Sequence, residues 1–263
     1  MPVPTVASVD TRNGLVSYAE QGEGPPIVLL HSLLTDRNAF DRVTGDLPGR
    51  VIAIDLPGFG ETTLTGPSIE EYATLMSAAV HAISADEPVT VMGNGLGAFV
   101  ALGIAIAGES SLDKLVLVGC GPAFPDSTKQ AFAAMIDTVE AGGMSAVTPT
   151  ALRRIFTEDY LADHPEQAEE RAQVLAHTDP ESFVTACRAL LQVDFTDRLG
   201  DVDTPTLIVV GENDEATPPE MARALHASLP DSKLVFLPAV AHAPQIQEPA
   251  AFVDSISDFL EGA

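Results

Sequence analysis

Apolar positions along this chain alternate between two textures. Short, nearly continuous apolar runs at 27–30, 51–54, 89–92, 115–118 and 206–210 are rich in β-branched residues, as expected of strands buried on both faces of a parallel sheet. Between them, apolar residues recur at helical spacing. Ile69, Tyr72, Ala73, Met76, Ala79, Val80 and Ile83 share one face, with Ser68 and Glu71 forming a capping box ahead of it. Further helices are predicted over about 36–47, 96–107, 219–229 and 248–261. Two short strands, 4–9 and 14–20, meet at Asn13-Gly14, a strong hairpin signal, and a last strand is expected over 233–237.

Strands alternating with helices predict an α/β fold with a mostly parallel central sheet flanked by helices. Right-handed crossovers then gather the loops at the strand C-termini on one rim, where such sheets carry ligand chemistry. The texture changes from Pro122 to about Gly200, where strands disappear. Helical patterns there occupy roughly 127–141, 150–160, 165–177 and 180–192, broken by Gly142-Gly143, Pro149, Pro165 and Pro180. This segment reads as a helical cap, 122–200, inserted into a core made of 1–121 and 201–263.

Composition narrows the partners. With 263 residues and 46% hydrophobic content the chain is long enough for one large core. A formal charge of −25, from 38 acidic and 13 basic residues, opposes binding to nucleic acid or an anionic membrane. There is no apolar run of membrane-spanning length, and Met1 to Thr5 lacks the basic start of a signal peptide, so a cytoplasmic protein is expected. Cys120 and Cys187 are too few for a disulfide framework or a structural zinc site and read as reduced, buried thiols. The histidines at 31, 81, 164, 177 and 226 show no metal-ligand spacing and read as surface or structural, so no metal and no cofactor are expected. Oligomeric state is not legible, and a homodimer is one arrangement open to the chain.

The chemistry concentrates on the rim. Val89 to Ala98 runs from a strand through a glycine cluster into a helix, the layout of a nucleophile elbow, G-x-S-x-G. Here it reads GNGLG, with Gly95 where a serine should stand. Asp214, after the strand at 206–210, can orient an imidazole, and His242, in the loop before the last helix, is the candidate base. Nucleophile position, acid and histidine follow one another in the order of a strand-turn-helix serine hydrolase. His31-Ser32-Leu33 ends a strand, and the Leu33 N–H, or that of Ser32, would pair with the Leu96 N–H to hold an oxyanion. Ser32 and Cys120 share the rim but lie outside the elbow, so neither is expected to replace the serine. Phe124, Phe132, Met135, Phe156 and Phe183 are candidates for the pocket wall or for plain core.

A competing pattern overlaps the elbow. Gly93-x-Gly95-x-x-Ala98 matches a dinucleotide fingerprint, which requires an acid about 20 residues on, at the end of the next strand. That strand ends Val118-Gly119-Cys120, and four strands precede a motif that normally opens its domain.

Five separated motifs agree in order: HSLLTD at 31–36, DLPGFG at 55–60, the elbow, GENDEATPP at 211–219 and the closing LPAVAHAPQIQEP. From about residue 12 to 261 the chain resembles the α/β-hydrolase superfamily, most of all the branch containing 3-oxoadipate enol-lactone hydrolases, with related esterases and lactonases. The resemblance implies an enzyme acting on a small-molecule ester or lactone, with Ser at 95, Asp at 214 and His at 242. Only the last two carry over, which implies a form inactivated by the Ser-to-Gly change. The alternative is a natural non-hydrolytic homologue, acting as a His/Asp base catalyst or a ligand-binding protein.

Overall fold

The computed structural model describes residues 4–85, 87–108 and 112–262. Among them the apolar runs become one eight-stranded sheet, in chain order β1 (Thr5–Thr11), β2 (Gly14–Gln21), β3 (Pro26–Leu30), β4 (Arg50–Ile54), β5 (Val89–Asn94), β6 (Leu112–Val118), β7 (Thr206–Gly211) and β8 (Ser232–Leu237). Their spatial order is β1-β2-β4-β3-β5-β6-β7-β8. The β1–β2 hairpin and the β2–β4 pairing are antiparallel, and every other pairing is parallel. All residues of β3, β5 and β7 are buried, which is why these strands read as unbroken apolar runs.

Two helices set the centre of the molecule. Helix α1 (Ile69–Ser84) starts at the predicted cap, where Ser68 Oγ accepts from the Glu71 N–H at 3.2 Å and donates to Glu71 Oε2 at 2.8 Å. Helix α2 (Leu96–Ala107) is buried continuously from Leu96 to Ile104. It lies directly on the strands because glycine leaves room: a Cβ on Gly97 would collide with the Leu30 carbonyl. The Gly97 N–H instead donates to the His31 carbonyl at 3.0 Å, clamping the start of α2 to the end of β3.

Between β6 and β7 the chain forms α3 (Asp126–Gly142), α4 (Met144–Ile155), α5 (Glu158–Asp163), α6 (Pro165–His177) and α7 (Pro180–Gln192). After β7 come α8 (Pro219–Ser228), α9 (Pro244–Gln247) and α10 (Pro249–Glu261). No described helix is long and apolar enough to cross a membrane.

Two predicted elements differ. The helix expected over 36–47 is a pair of 3-10 turns, Arg37–Phe40 and Thr44–Asp46. Val43, Thr44 and Gly45 all disfavour helix, while burial of Ala39, Phe40 and Val43 holds the segment against the core. Pro149, expected to break a helix, lies inside α4. The buried stripe Met144, Val147, Ala151 and Ile155 continues across it, so burying that face outweighs the roughly 3 kcal/mol an internal proline costs. The break falls instead at Phe156 and Thr157, which are extended, with the Thr157 hydroxyl capping α5.

Candidate active site

The elbow is a single-residue turn. β5 ends at Asn94 and α2 begins at Leu96, so Gly95 alone redirects the chain, at φ 52° and ψ −116°. L side chains rarely adopt that conformation, and glycine takes it with little strain. The Gly95 N–H is spent on the Val118 carbonyl at 2.9 Å.

His242, in the loop after β8, faces this turn. Its Nδ1 lies 2.8 Å from Asp214 Oδ2, and both residues are buried. Asp214 also accepts from the N–H groups of Ala216 and Thr217, each at 2.8 Å, and from Thr217 Oγ1 at 2.6 Å. With a carboxylate at Nδ1, the imidazole proton sits there and Nε2 is left as an acceptor. That nitrogen points at the elbow: a Cβ on Gly95 would lie 2.6 Å from it.

The loop carrying the imidazole is fixed at both ends of the residue. The His242 N–H donates to the Ile155 carbonyl at 3.1 Å, at the end of α4. Its carbonyl accepts from Asn94 Nδ2 at 2.9 Å, and Gln245 Nε2 donates to Asn94 Oδ1 at 3.0 Å. The residue beside Gly95 therefore anchors the His242 loop. Asn94 and Thr217 were not legible as site residues, although a polar side chain at the apolar mouth of the elbow and a threonine three positions after Asp214 were signals.

Leu96, as the first residue of α2, has an N–H without an intrahelical acceptor, at the end where the helix dipole favours an anion. The Ser32 N–H donates to Thr35 Oγ1 at 3.0 Å, so of the two amides proposed opposite Leu96 only that of Leu33 remains. Leu33, Leu96, Gly95 and His242 line one cavity of about 30 Å³, while Asp214 stands behind the imidazole. Of the two readings open to them, Phe124, Phe132 and Met135 take the wall of this cavity, joined by Leu34, Leu190 and Arg154. Phe156 and Phe183 are not in that wall; Phe156 stacks on Tyr160 with centroids 4.9 Å apart. Burial pushes the Arg154 guanidinium below its ordinary range, against the opposing pull of Asp214 and Glu215. A larger cleft of about 560 Å³, lined by residues such as Asp36, Asp55 and Glu170, contains neither Gly95 nor His242.

Ser32 comes closer than its place in the chain implied. Its Oγ lies 3.3 Å from His242 Nε2, and it is buried in the same cavity wall. Cys120 does not: its thiol is fully buried, turned toward the Gly121 carbonyl and pushed up by desolvation. Cys187 is likewise buried with its thiol pushed up. Among the described residues no group of three or more His, Cys, Asp or Glu is placed to hold a metal ion.

His31 is structural. Its Nε2 accepts the Leu56 N–H at 3.0 Å and its Nδ1 donates to the Ser32 carbonyl at 2.8 Å, tying the β3 and β4 loops together. Burial holds this imidazole below its ordinary range, and so neutral, despite opposing pulls from the Ser32 carbonyl, Asp55 and Asp36. Because the unfolded chain takes up the proton first, the His31 contribution is complete above the ordinary imidazole range and is lost as pH falls. His31→Ala is expected to cost about 1–3 kcal/mol at pH 7.5, since it strands the Leu56 N–H. Urea melts of both proteins at pH 7.5 and 5.5 check this, the gap narrowing at the lower pH.

A parallel sheet with a strand-turn-helix elbow and a buried His–Asp pair across its rim defines an α/β hydrolase. Residues 27–255 match the model of the alpha/beta hydrolase family, and the chain belongs to it. It is 30% identical over 256 residues to a pimeloyl-[acyl-carrier protein] methyl ester esterase of Neisseria meningitidis serogroup C, covering 90% of this chain and 93% of the relative. Among solved structures, the enol-lactonase of Burkholderia xenovorans LB400 superposes with a TM-score of 0.90 at 22% identity, covering 97% of this chain and 99% of the other. A thermophilic esterase of Thermogutta terrifontis superposes at 0.87 with 24% identity, covering 97% and 98%.

Proposed function

We propose that this protein is a carboxylic ester or lactone hydrolase scaffold in which Gly95 occupies the nucleophile position and strongly impairs turnover. The observation that carries the reading is the buried Asp214–His242 pair, whose Nε2 faces the elbow in a cavity that Leu33 and Leu96 also line. In this reading His242 is the general base, Asp214 orients it, and the two amides hold the oxyanion. The segment 122–200, which holds α3–α7, serves as a cap on a core of 1–121 and 201–263, and its Phe124, Phe132 and Met135 bound the acyl or lactone pocket. The relatives named as a methyl ester esterase and an enol-lactonase support the ester and lactone classes.

Loss of a triad nucleophile removes on the order of 10⁴ to 10⁶ in turnover, and binding with the oxyanion hole leaves roughly 10³ to 10⁴ over water. A panel of p-nitrophenyl acyl esters, methyl esters and γ- and δ-lactones at neutral pH tests the reading. Slow hydrolysis above the buffer rate is expected, and the share of it driven by an attacking group that His242 deprotonates is expected to go in His242→Ala. Equal rates with and without the imidazole on every substrate would sink the hydrolase reading. Gly95 itself favours one second reading, a natural non-hydrolytic homologue in which the His–Asp pair abstracts a proton or lines a ligand site. Saturable ligand binding without His242-dependent hydrolysis marks that outcome.

A further inference from the structure

We infer that Ser32, on the loop after β3, is the nucleophile that His242 activates in this chain, giving a Ser–His–Asp relay whose serine stands beside the elbow rather than in it. The inference rests on the hydrolase reading above and concerns which oxygen attacks.

Three observations converge on Ser32. Its Oγ is 3.3 Å from His242 Nε2, and it is the hydroxyl at that nitrogen in the cavity wall. Because Asp214 fixes the imidazole proton on Nδ1, the hydrogen bond at Nε2 runs from Ser32 Oγ–H to nitrogen, the polarity of an activated serine. The residue is also held in place through its backbone. Its N–H is bound by Thr35 Oγ1 at 3.0 Å, and its carbonyl accepts from His31 Nδ1 at 2.8 Å and from the Thr35 N–H at 3.2 Å.

Gly95 makes room for this arrangement. A Cβ there would lie 2.6 Å from both Ser32 Oγ and His242 Nε2, so any side chain at 95 would push into the contact between them. Both candidate oxyanion residues line the same cavity as Ser32. In the elbow the amide next after the nucleophile position is that of Leu96; for Ser32 the next amide is that of Leu33, in the same cavity wall.

The chemistry balances without a co-reactant beyond water. Ser32 Oγ bonds to the ester or lactone carbonyl carbon as its proton passes to His242 Nε2 and the carbonyl oxygen becomes the oxyanion. The carbon–oxygen bond to the leaving alcohol then breaks, and that oxygen takes the proton from His242. A water adds to the acyl carbon, giving its proton to Nε2, and the carbon–Oγ bond breaks as Ser32 recovers the proton. The products are the carboxylic acid and the alcohol, or one hydroxy acid from a lactone.

A small alkyl fluorophosphonate tests this on the unaltered chain. Attack by Ser32 forms an Oγ–phosphorus bond and expels fluoride, and peptide mapping by mass spectrometry then finds the adduct on residue 32. Ser32→Ala is expected to abolish the adduct and to lower His242-dependent turnover of the ester and lactone panel on the order of 10³-fold, with an unchanged melting profile. An unlabelled Ser32, together with His242-dependent hydrolysis that survives Ser32→Ala within about threefold, would overturn the inference. It would leave the hydrolase reading standing, with water as the attacking group. Absence of both labelling and His242-dependent hydrolysis would remove the hydrolase reading and this inference with it.

Discussion

Gly95→Ser is expected to raise ester or lactone turnover by at least 10³-fold, and His242→Ala added to it is expected to return turnover to background. A serine at the elbow would stand where the His242 Nε2 already points, so the gain draws on a base and amides that are in place. A factor of 10³ to 10⁴ corresponds to about 4–5 kcal/mol of transition-state stabilisation. Against it stand two costs. A side chain at φ 52° and ψ −116° is strained by about 1–3 kcal/mol, and its Cβ would meet Ser32 Oγ and His242 Nε2 at 2.6 Å each. Ser32 can swing to another rotamer, whereas the imidazole is held by Asp214, so the serine hydroxyl yields first. Activity therefore rises while the melting temperature falls by several degrees. The same contact makes the effect of Ser32→Ala depend on residue 95. Its loss is large beside glycine and small beside serine, a coupling that a double-mutant cycle reads directly.

Asp214→Asn is expected to lower turnover by on the order of 10⁴, in the Gly95→Ser background where the signal is largest. The carboxylate of Asp214 receives four hydrogen bonds, from two backbone N–H groups, the Thr217 hydroxyl and His242 Nδ1. An amide has one oxygen for four donors, and its NH₂ brings two more. With the NH₂ toward His242, Nδ1 becomes the acceptor and the proton moves to Nε2, which can then no longer take one from a hydroxyl. With the NH₂ toward 216 and 217, donors face donors in a buried turn. Steady-state kinetics with a thermal melt separate the two: turnover kept within tenfold would remove Asp214 from the relay, and lost folding without lost specific activity would make it purely structural.

Much of the fold was legible because its signals are local. Buried strands leave apolar runs, so β3, β4, β5 and β7 could be located within a residue or two; β6 starts three residues before its predicted start, where Leu112, Asp113 and Lys114 are not buried. The Ser68 cap depends only on neighbours in the chain and stands as read; the hairpin forms as well, but with Thr11 paired to Gly14 its two-residue turn is Arg12-Asn13 rather than Asn13-Gly14. The misread elements are those where packing outweighs propensity. Phe40 and Val43 are buried in a segment that never becomes an α-helix, and Pro149 is carried inside a helix whose apolar face needs covering.

The order of motifs along the chain marked Gly95, Asp214, His242, Leu33 and Leu96 as candidates, because a parallel sheet sends every strand's C-terminal loop to one rim. The sequence by itself thus determined the architecture, the glycine at the elbow and the membership of the rim. Only the tertiary structure decided which groups on that rim touch. β3 lies beside β5 although β4 separates them in the chain, and that crossover brings Ser32 within 3.3 Å of His242 Nε2. It also sets Asn94 under the His242 loop, where its side chain holds the His242 carbonyl. These contacts join residues far apart in sequence, and their distances follow from strand order, register and helix packing, which no local pattern encodes.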